Sequence, residues 1–535
     1  MLGKTLHATG AALALAISTT LAGCASTSAA PAFRDVADTI EARSGHRPRW
    51  AQDSAADRQA EAAVDRLLAH ELSADAAVQI ALLNNPSLRS TFEELAIAQA
   101  DLVQAGLLKN PVFGVGSTAW EQEHISPNLF FTVEQDFLDL VTMPLRRRVA
   151  ATQLEATKLR VADRVLALAA ETRAAFYEAQ AAEQVLAMRR LVREAAEASA
   201  ELARRQYEAG AMSDLALTSE LGLASQARLD LRRSEGEAAL AREHLTRRLG
   251  VWGPRTNWKL GARLPELPRD EVSLDRLESA AIAKRLDVAA ARRELQAIGS
   301  TLSLARSTRW TGFLNVDVEA ARLRGDKRIS FGPRASLELP IFDQRQGAIA
   351  RLESLERSSA NELRKLAIDA RSEVRAARAR LVTARAVVEE YGSVLVPLRE
   401  SIVTFSQQQY DAMLLGAYQL LLAKQSEFST YREYIEALRD YWIARSDLER
   451  AIGSRLGPAT PPAAASPPAA ASPPAASPPA ASPPAASPPA ASPPAASPPA
   501  ASPPAASPPA ASPPAASPPA ASPPASSSTA PSPKP

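Results

Sequence analysis

The sequence is short of the residues on which catalytic and metal sites depend. Its 535 residues include one cysteine and five histidines, and aromatic residues make up only 5% of the chain. A single cysteine excludes an internal disulfide, and no set of histidine, cysteine and carboxylate has metal-ligand spacing. Phosphate-binding loops, dinucleotide fingerprints and nucleophile elbows are also missing. We therefore expect neither an enzyme nor a bound metal or cofactor.

Charge and hydrophobic length exclude two further classes of protein. The formal net charge is only +2 and no basic block occurs, which argues against a nucleic-acid partner. No internal apolar run approaches the roughly 18 residues of a transmembrane helix. If such a chain spans a membrane, it must do so as a β-barrel.

The N-terminus has the features of an export signal. A short positive segment precedes an apolar run over residues 11–17, and the sequence LAGC follows at 21–24. This tetrapeptide resembles a lipobox, the cleavage and acylation site of bacterial lipoproteins, so residues 1–23 are a predicted signal peptide. Cys24 would then carry lipid at the outer membrane, at the start of an extended leader over residues 24–70. An ordinary signal peptide with an incidental cysteine is the alternative.

The most informative feature is an internal duplication. Residues 71–113 match residues 271–313 at a shift of 200, and further on Tyr207 matches Tyr410 at a shift of 203. Each copy reads as a helix, two strands, one very long helix, a tight turn and a returning helix. A half that cannot close its own structure, present twice in one chain, predicts a ring built from several such units.

The duplication also sets the domain boundaries. The first copy covers residues 71–252 and the second covers residues 271–456, with a Pro-rich linker over 253–270 between them. Residues 457–535 repeat a pentad of serine, proline and alanine. Because that tail has almost no charge and no large apolar side chain, it cannot offset its ordering entropy, and we expect it to be disordered.

Helix and strand signals recur in both copies. Residues 145–209 contain neither proline nor glycine, which predicts a helix of about 97 Å, with a counterpart over residues 347–412. Four shorter segments alternate apolar and polar residues, as transmembrane barrel strands of about ten residues do. A soluble hairpin is the alternative for any one of these segments. They cover residues 111–120, 129–138, 312–321 and 330–340.

Two sets of residues are candidates for function. Acids on the polar strand face would line the lumen of a barrel and favour cations, although a polar lumen without selectivity is the alternative. These acids are Glu134, Asp136, Asp317, Glu319 and Glu338. The turns after the long helices would dock a partner, and the alternative is that they pack against the neighbouring helix hairpin. The turn residues are Tyr207, Gly210, Met212, Asp214, Tyr410, Met413, Leu415 and Gly416.

Taken together, these features resemble the outer-membrane efflux (TolC-like) family, in its lipoprotein branch. The resemblance covers residues 73–453 and rests on the blocks at 81–88 and 285–288, the turn after Tyr207 and the glycine that ends each copy. It implies a mainly helical fold with a small transmembrane β-barrel. Three chains would form a twelve-stranded barrel on a twelve-helix α-barrel.

The same resemblance implies a passive outer-membrane conduit for small molecules or metal ions. Its partners would be a periplasmic adaptor and an inner-membrane pump of the resistance-nodulation-division type, with gating by the hairpins at Gly210 and Met413. The acidic ring of the family does not carry over, because residues 418–422 (YQLLL) contain no acid. A type I protein-secretion channel and a lipid-anchored coiled-coil envelope spacer are the alternatives. The strand alternation argues against the spacer.

Overall fold

The two copies fold into the same order of helices and strands. The computed structural model describes residues 27–50, 54–118, 128–136, 138–268, 276–310, 314–322 and 329–456. Two helices precede the first copy, α1 (Ala30–Ser44) and α2 (Ser54–Leu68). The first copy contains β1 (Glu71–Leu72), α3 (Ala74–Asn84), α4 (Pro86–Ala105), β2 (Val112–Thr118), β3 (Asn128–Asp136), α5 (Leu138–Glu208) and α6 (Asp214–Leu249). The linker and second copy contain β4 (Lys259–Leu260), α7 (Leu277–Lys284), α8 (Leu286–Ser307), β5 (Leu314–Arg322), β6 (Ile329–Leu337), α9 (Gln346–Glu390), α10 (Val396–Asp411) and α11 (Ala417–Ile452).

The prediction of an extended leader over residues 24–70 is wrong where the structure describes that segment. Instead, α1 and α2 are helices, and α1 ends at Gly45 with a left-handed φ of 71°. Ile40 is fully buried, and the Phe33 ring lies edge-on to Phe92 of α4 at 5.1 Å. Burial of one face of α1 against α4 and α5 stabilises the helix. The many alanines of this segment obscured that periodicity in the sequence.

In the first copy, the returning helix meets the start of α4 end to end. α6 ends at Gly250, where an added Cβ would lie 2.9 Å from the Cα of Asn85. The Asn84 side chain donates to the Gly250 carbonyl at 2.6 Å, and the Asn85 side chain donates to the Arg248 carbonyl at 2.8 Å. Carbonyl groups that a helix C-terminus leaves unpaired are therefore satisfied by side chains of the next helix.

The second copy repeats this junction with different chemistry. α11 ends at Gly453, where an added Cβ would lie 3.2 Å from the Cα of Arg285. No asparagine occupies the matching turn. Instead, Arg43 at the end of α1 donates to the Gly453 carbonyl at 3.1 Å and to the Lys284 carbonyl. The N-terminal helix thus supplies donors that asparagines supply in the first copy.

The long helices set the distance between the strands and the turns. α5 has 71 residues, which corresponds to roughly 105 Å. It begins earlier than the predicted start near residue 145 and contains Pro144. A proline there removes one backbone hydrogen bond, and the helix continues through it. In the second copy, α9 and α10 follow one another through a π-helical turn at Tyr391–Leu395.

The main hydrophobic core joins the two copies. It draws buried side chains from α3, α5, α6, α9 and α11, among them Tyr441, and it also includes Trp258 of the linker. β1 pairs in parallel with β4, which brings the linker beside the start of the first copy. The Arg242 guanidinium lies 3.8 Å from the centre of the Trp258 ring. This core fixes the positions from which the long helices extend.

Candidate functional site

The four longer strands form a single antiparallel sheet in the order β2-β3-β5-β6. β3 and β5 come from different copies and pair in register from Leu129 with Arg322 to Asp136 with Asn315. All four strands begin and end within about three residues of their predicted bounds. Among the described strands, β2 and β6 each have one unpaired edge, which another chain can pair with.

One face of this sheet is apolar and exposed. Val133 of β3 stands opposite Val318 of β5, and each is 48% exposed. Beside them the Phe113 and Phe131 rings stack at 6.3 Å. Because contiguous exposed apolar surface is unfavourable in water, this face is a candidate contact with lipid or with another protein.

The opposite face carries most of the predicted acids. Glu134 stands opposite Asp317, and Glu319 stands opposite Thr132. Asp136 is the last residue of β3, whereas Glu338 lies one residue beyond the end of β6. The strand register places Glu134, Asp136, Asp317 and Glu319 on one face, whereas the predicted last strand extends three residues beyond the end of β6 at Leu337.

Two basic residues that were not among the candidates contact these acids. Arg334 of β6 contacts Glu319 at 2.8 Å and Asp317 at 3.9 Å. Lys109 contacts Asp136 at 3.0 Å. The alternation puts Arg334 on the same face as the acids, but its pairing depends on the strand register, which composition does not encode.

At the first turn, the structure brings the predicted residues together. Gly210 has a φ of 73° and ends α5, as its position after Tyr207 predicts. The backbone N–H of Gly210 donates to the Tyr207 carbonyl at 2.9 Å. The Tyr207 hydroxyl donates a hydrogen bond to the Asp214 carboxylate, which raises the pKa of Tyr207. Met212, which precedes Asp214 by two positions in the sequence, is half-buried.

The second turn has the same backbone conformation without a glycine. Met413 has a φ of 59°, and its N–H donates to the Tyr410 carbonyl at 2.9 Å. Its side chain is 94% exposed, so it is open to contact by another molecule. Leu415 and Gly416 follow, and Gly416 stands directly before α11.

The two hairpins differ in their long helices. Only the second copy has a π-helical turn among the described residues. Gly392 lies in that turn, and Pro397 lies in the first turn of α10, which follows it. The Tyr391 hydroxyl donates to Glu433 of α11 at 3.1 Å, which ties the turn to the returning helix. Glycine and proline inside an otherwise helical pattern are the sequence signal for such an irregularity.

Several predictions concern residues that the structure does not describe. The signal peptide over 1–23, the lipidation site Cys24 and the tail over 457–535 all lie outside the described ranges. Within those ranges, no group of three or more histidine, cysteine or acidic side chains is arranged to hold a metal ion. Of the helices described, none combines the length and the apolar character needed to cross a membrane.

Comparison with protein-family models and with curated protein sequences gives no match. Among solved structures, a membrane protein from Pseudomonas aeruginosa is 22% identical with a TM-score of 0.62, over 73% of this chain and 92% of that one. The CmeC outer membrane channel of Campylobacter jejuni is 16% identical with a TM-score of 0.59, over 72% of this chain and 86% of that one. The MtrE outer membrane channel of Neisseria gonorrhoeae, in its open state, is 17% identical with a TM-score of 0.58, over 73% of this chain and 89% of that one. The chain therefore has the mainly helical fold of these outer-membrane channels, which confirms, at the level of the fold, its resemblance to the TolC-like family.

Proposed function

We propose that this chain is the outer-membrane channel of a tripartite efflux system, through which small molecules or metal ions leave the cell passively. The observation that carries the proposal is the open four-stranded sheet, with one apolar face, one polar face and two unpaired edges. Single-chain barrels begin at about eight strands, so four strands cannot close a barrel. Three copies joined edge to edge would give twelve strands, with lipid outside and water inside.

The long helices support the second half of the proposal. The turns at Gly210 and Met413 stand at the far ends of α5 and α10 from the sheet. At roughly 105 Å for α5, twelve such struts in a trimer would make a tunnel across the periplasm. The exposed turn residues would meet a periplasmic adaptor, and an inner-membrane pump would supply the energy. Lipid on Cys24 would anchor the chain to the outer membrane in addition to the barrel.

Assembly and conductance test the channel directly. The full-length protein, purified in detergent, is expected to have the mass of a trimer by light scattering and to form ion-conducting pores in planar lipid bilayers. A monomeric protein that leaves bilayers non-conducting would contradict the proposal and favour the envelope spacer.

Susceptibility of a deletion strain tests the cargo. The panel would include copper, zinc, cobalt, detergents and common antibiotics, with the unmodified gene and Cys24→Ala reintroduced in parallel. Hypersensitivity to metals alone indicates metal efflux, and hypersensitivity to organic compounds indicates drug efflux. If the deletion changes neither, type I protein secretion becomes the better explanation. Weaker rescue by Cys24→Ala than by the unmodified gene is expected if lipid contributes to anchoring.

A further inference from the structure

On the polar face of the sheet, two acids and one base stand side by side on three neighbouring strands. Three neighbouring strands contribute one row, in which Glu134 stands opposite Asp317 and Asp317 stands opposite Arg334. Two like charges are therefore adjacent on β3 and β5, and Arg334 of β6 stands next to them in the same row. Like charges directly opposite one another destabilise a strand pair.

Arg334 relieves that repulsion while staying open to water. Its guanidinium contacts Glu319 at 2.8 Å and Asp317 at 3.9 Å. The Asp317 side chain is only 11% exposed, whereas the Arg334 side chain is 65% exposed. Of this ion pair, the base is therefore the member that is more accessible to an ion beside this face. On the other side, Asn315 donates a hydrogen bond to Glu134 and leaves its charge unchanged.

The balance of charge on this face depends on few groups. Four described carboxylates lie there, namely Glu134, Asp136, Asp317 and Glu319, and Lys109 contacts Asp136 from outside the sheet. With Lys109 and Arg334 both charged, two carboxylates remain in excess in each chain. Without Arg334, three remain. A single side chain thus changes the excess charge of the face by half.

We propose that Arg334 is a selectivity-determining residue, which moderates the preference for cations that the acids on this face would otherwise produce. The inference rests on the proposed function, because it requires the polar face to line a water-filled pore. In such a pore, fixed charge of one sign concentrates mobile ions of the other sign. The acids alone predict a strongly cation-selective lumen, whereas the salt bridges of Arg334 predict a weakly selective one.

Screening of the Arg334 charge by salt determines the concentration at which its effect on ion permeability can be measured. The Debye length is about 30 Å at 0.01 M salt and about 3 Å at 1 M, so a charge on the wall of a wide barrel acts across the lumen only in dilute salt. The ratio of K⁺ to Cl⁻ permeability is therefore taken from the reversal potential across a KCl gradient near 0.01 M. A repeat near 1 M KCl serves as the screened reference.

The experiment compares the full-length protein with three variants of this cluster in planar bilayers. R334Q is expected to raise the K⁺ to Cl⁻ permeability ratio at least about twofold in dilute salt, and much less in concentrated salt. R334K keeps the charge and is expected to leave the ratio unchanged. E319Q removes the partner and is expected to shift the ratio toward Cl⁻. Arg232→Gln on α6, an exposed arginine that pairs with Glu235 away from the sheet, is the matched control.

The outcomes separate this inference from the function on which it rests. A conducting R334Q protein with the permeability ratio of the unmodified protein would overturn the inference and leave the channel intact. If R334Q does not assemble, E319Q decides, and an unchanged ratio overturns the inference in the same way. An unmodified protein that forms no conducting pore contradicts the proposed function and the inference with it.

Discussion

At the scale of single residues, two glycines share a backbone conformation but not their surroundings. Gly210 and Gly250 have φ values of 73° and 70°. Nothing lies within 4 Å of a Cβ built on Gly210, whereas one built on Gly250 lies 2.9 Å from the Cα of Asn85. The backbone strain of an alanine is thus common to both sites, and the steric clash is specific to Gly250.

We expect Gly210→Ala to cost about 1 kcal/mol of stability, the strain of a left-handed alanine. Gly250→Ala is expected to cost a further 1–3 kcal/mol or so, because the α4 backbone must move away. Thermal and guanidinium unfolding of the detergent-solubilised protein, followed by circular dichroism, measures both. Equal effects of the two substitutions would show that α6 and α4 are not in contact.

Met413 has the same left-handed backbone conformation as Gly210, although it is not a glycine. Its φ is 59° and its side chain is 94% exposed, so it is strained and contributes little packing. Met413→Gly is therefore expected to raise stability by about 1 kcal/mol. Met212→Gly at the first turn is the control and is expected to give no gain, since Met212 has no positive φ. A loss of stability for Met413→Gly would indicate that its side chain packs in the assembled protein.

At the scale of elements, the sequence predicts what periodicity encodes. Alternation of apolar and polar residues, weaker in β2 and β5 than in β3 and β6, places the four strands to within about three residues, and the run free of proline and glycine predicts α5. The sequence does not predict helices α1 and α2, because alanine is compatible with both the buried and the exposed face of a helix. It does not predict the junctions between helices either, because they depend on residue pairs that are distant in the chain, such as Asn85 with Arg248 and Arg43 with Gly453. A single sequence does not reveal such pairs.

The junctions therefore give a test at the same scale. Asn85→Ala removes both the N-cap of α4, which accepts from the Ser87 N–H at 2.9 Å, and the donor to the Arg248 carbonyl. We expect a loss of about 1–2 kcal/mol. Arg43→Ala is expected to cost a similar amount, about 1–3 kcal/mol, through the junction of the second copy. The unfolding midpoint measures each, with exposed Asn361→Ala on α9 as the control. An Arg43→Ala midpoint equal to that of the control would contradict its role in the junction.

At the scale of the whole molecule, the internal duplication explains how the four-stranded sheet is built. Each copy supplies one hairpin, and the two hairpins meet at β3 and β5 to give a sheet whose two faces differ in polarity. The proposed trimer assigns the apolar face to lipid and the polar face to water. Neighbouring residues of one strand therefore lie in opposite environments, which a pair of matched substitutions distinguishes.

Val133 and Thr132 of β3 provide that pair. An arginine on the lipid face of a barrel costs about 2–4 kcal/mol near the bilayer midplane, whereas Thr132 stands opposite Glu319 on the polar face. Val133→Arg is thus expected to reduce the amount of protein recovered in the outer membrane several-fold, and Thr132→Arg to leave it near the unmodified level. Membrane fractionation and the yield of detergent-extracted trimer measure both. If Thr132→Arg were the damaging change, the polar face would meet lipid and the barrel would have to be turned inside out. Equal tolerance of both would mean that the sheet does not enter the bilayer, because water on both faces accepts an arginine at either position.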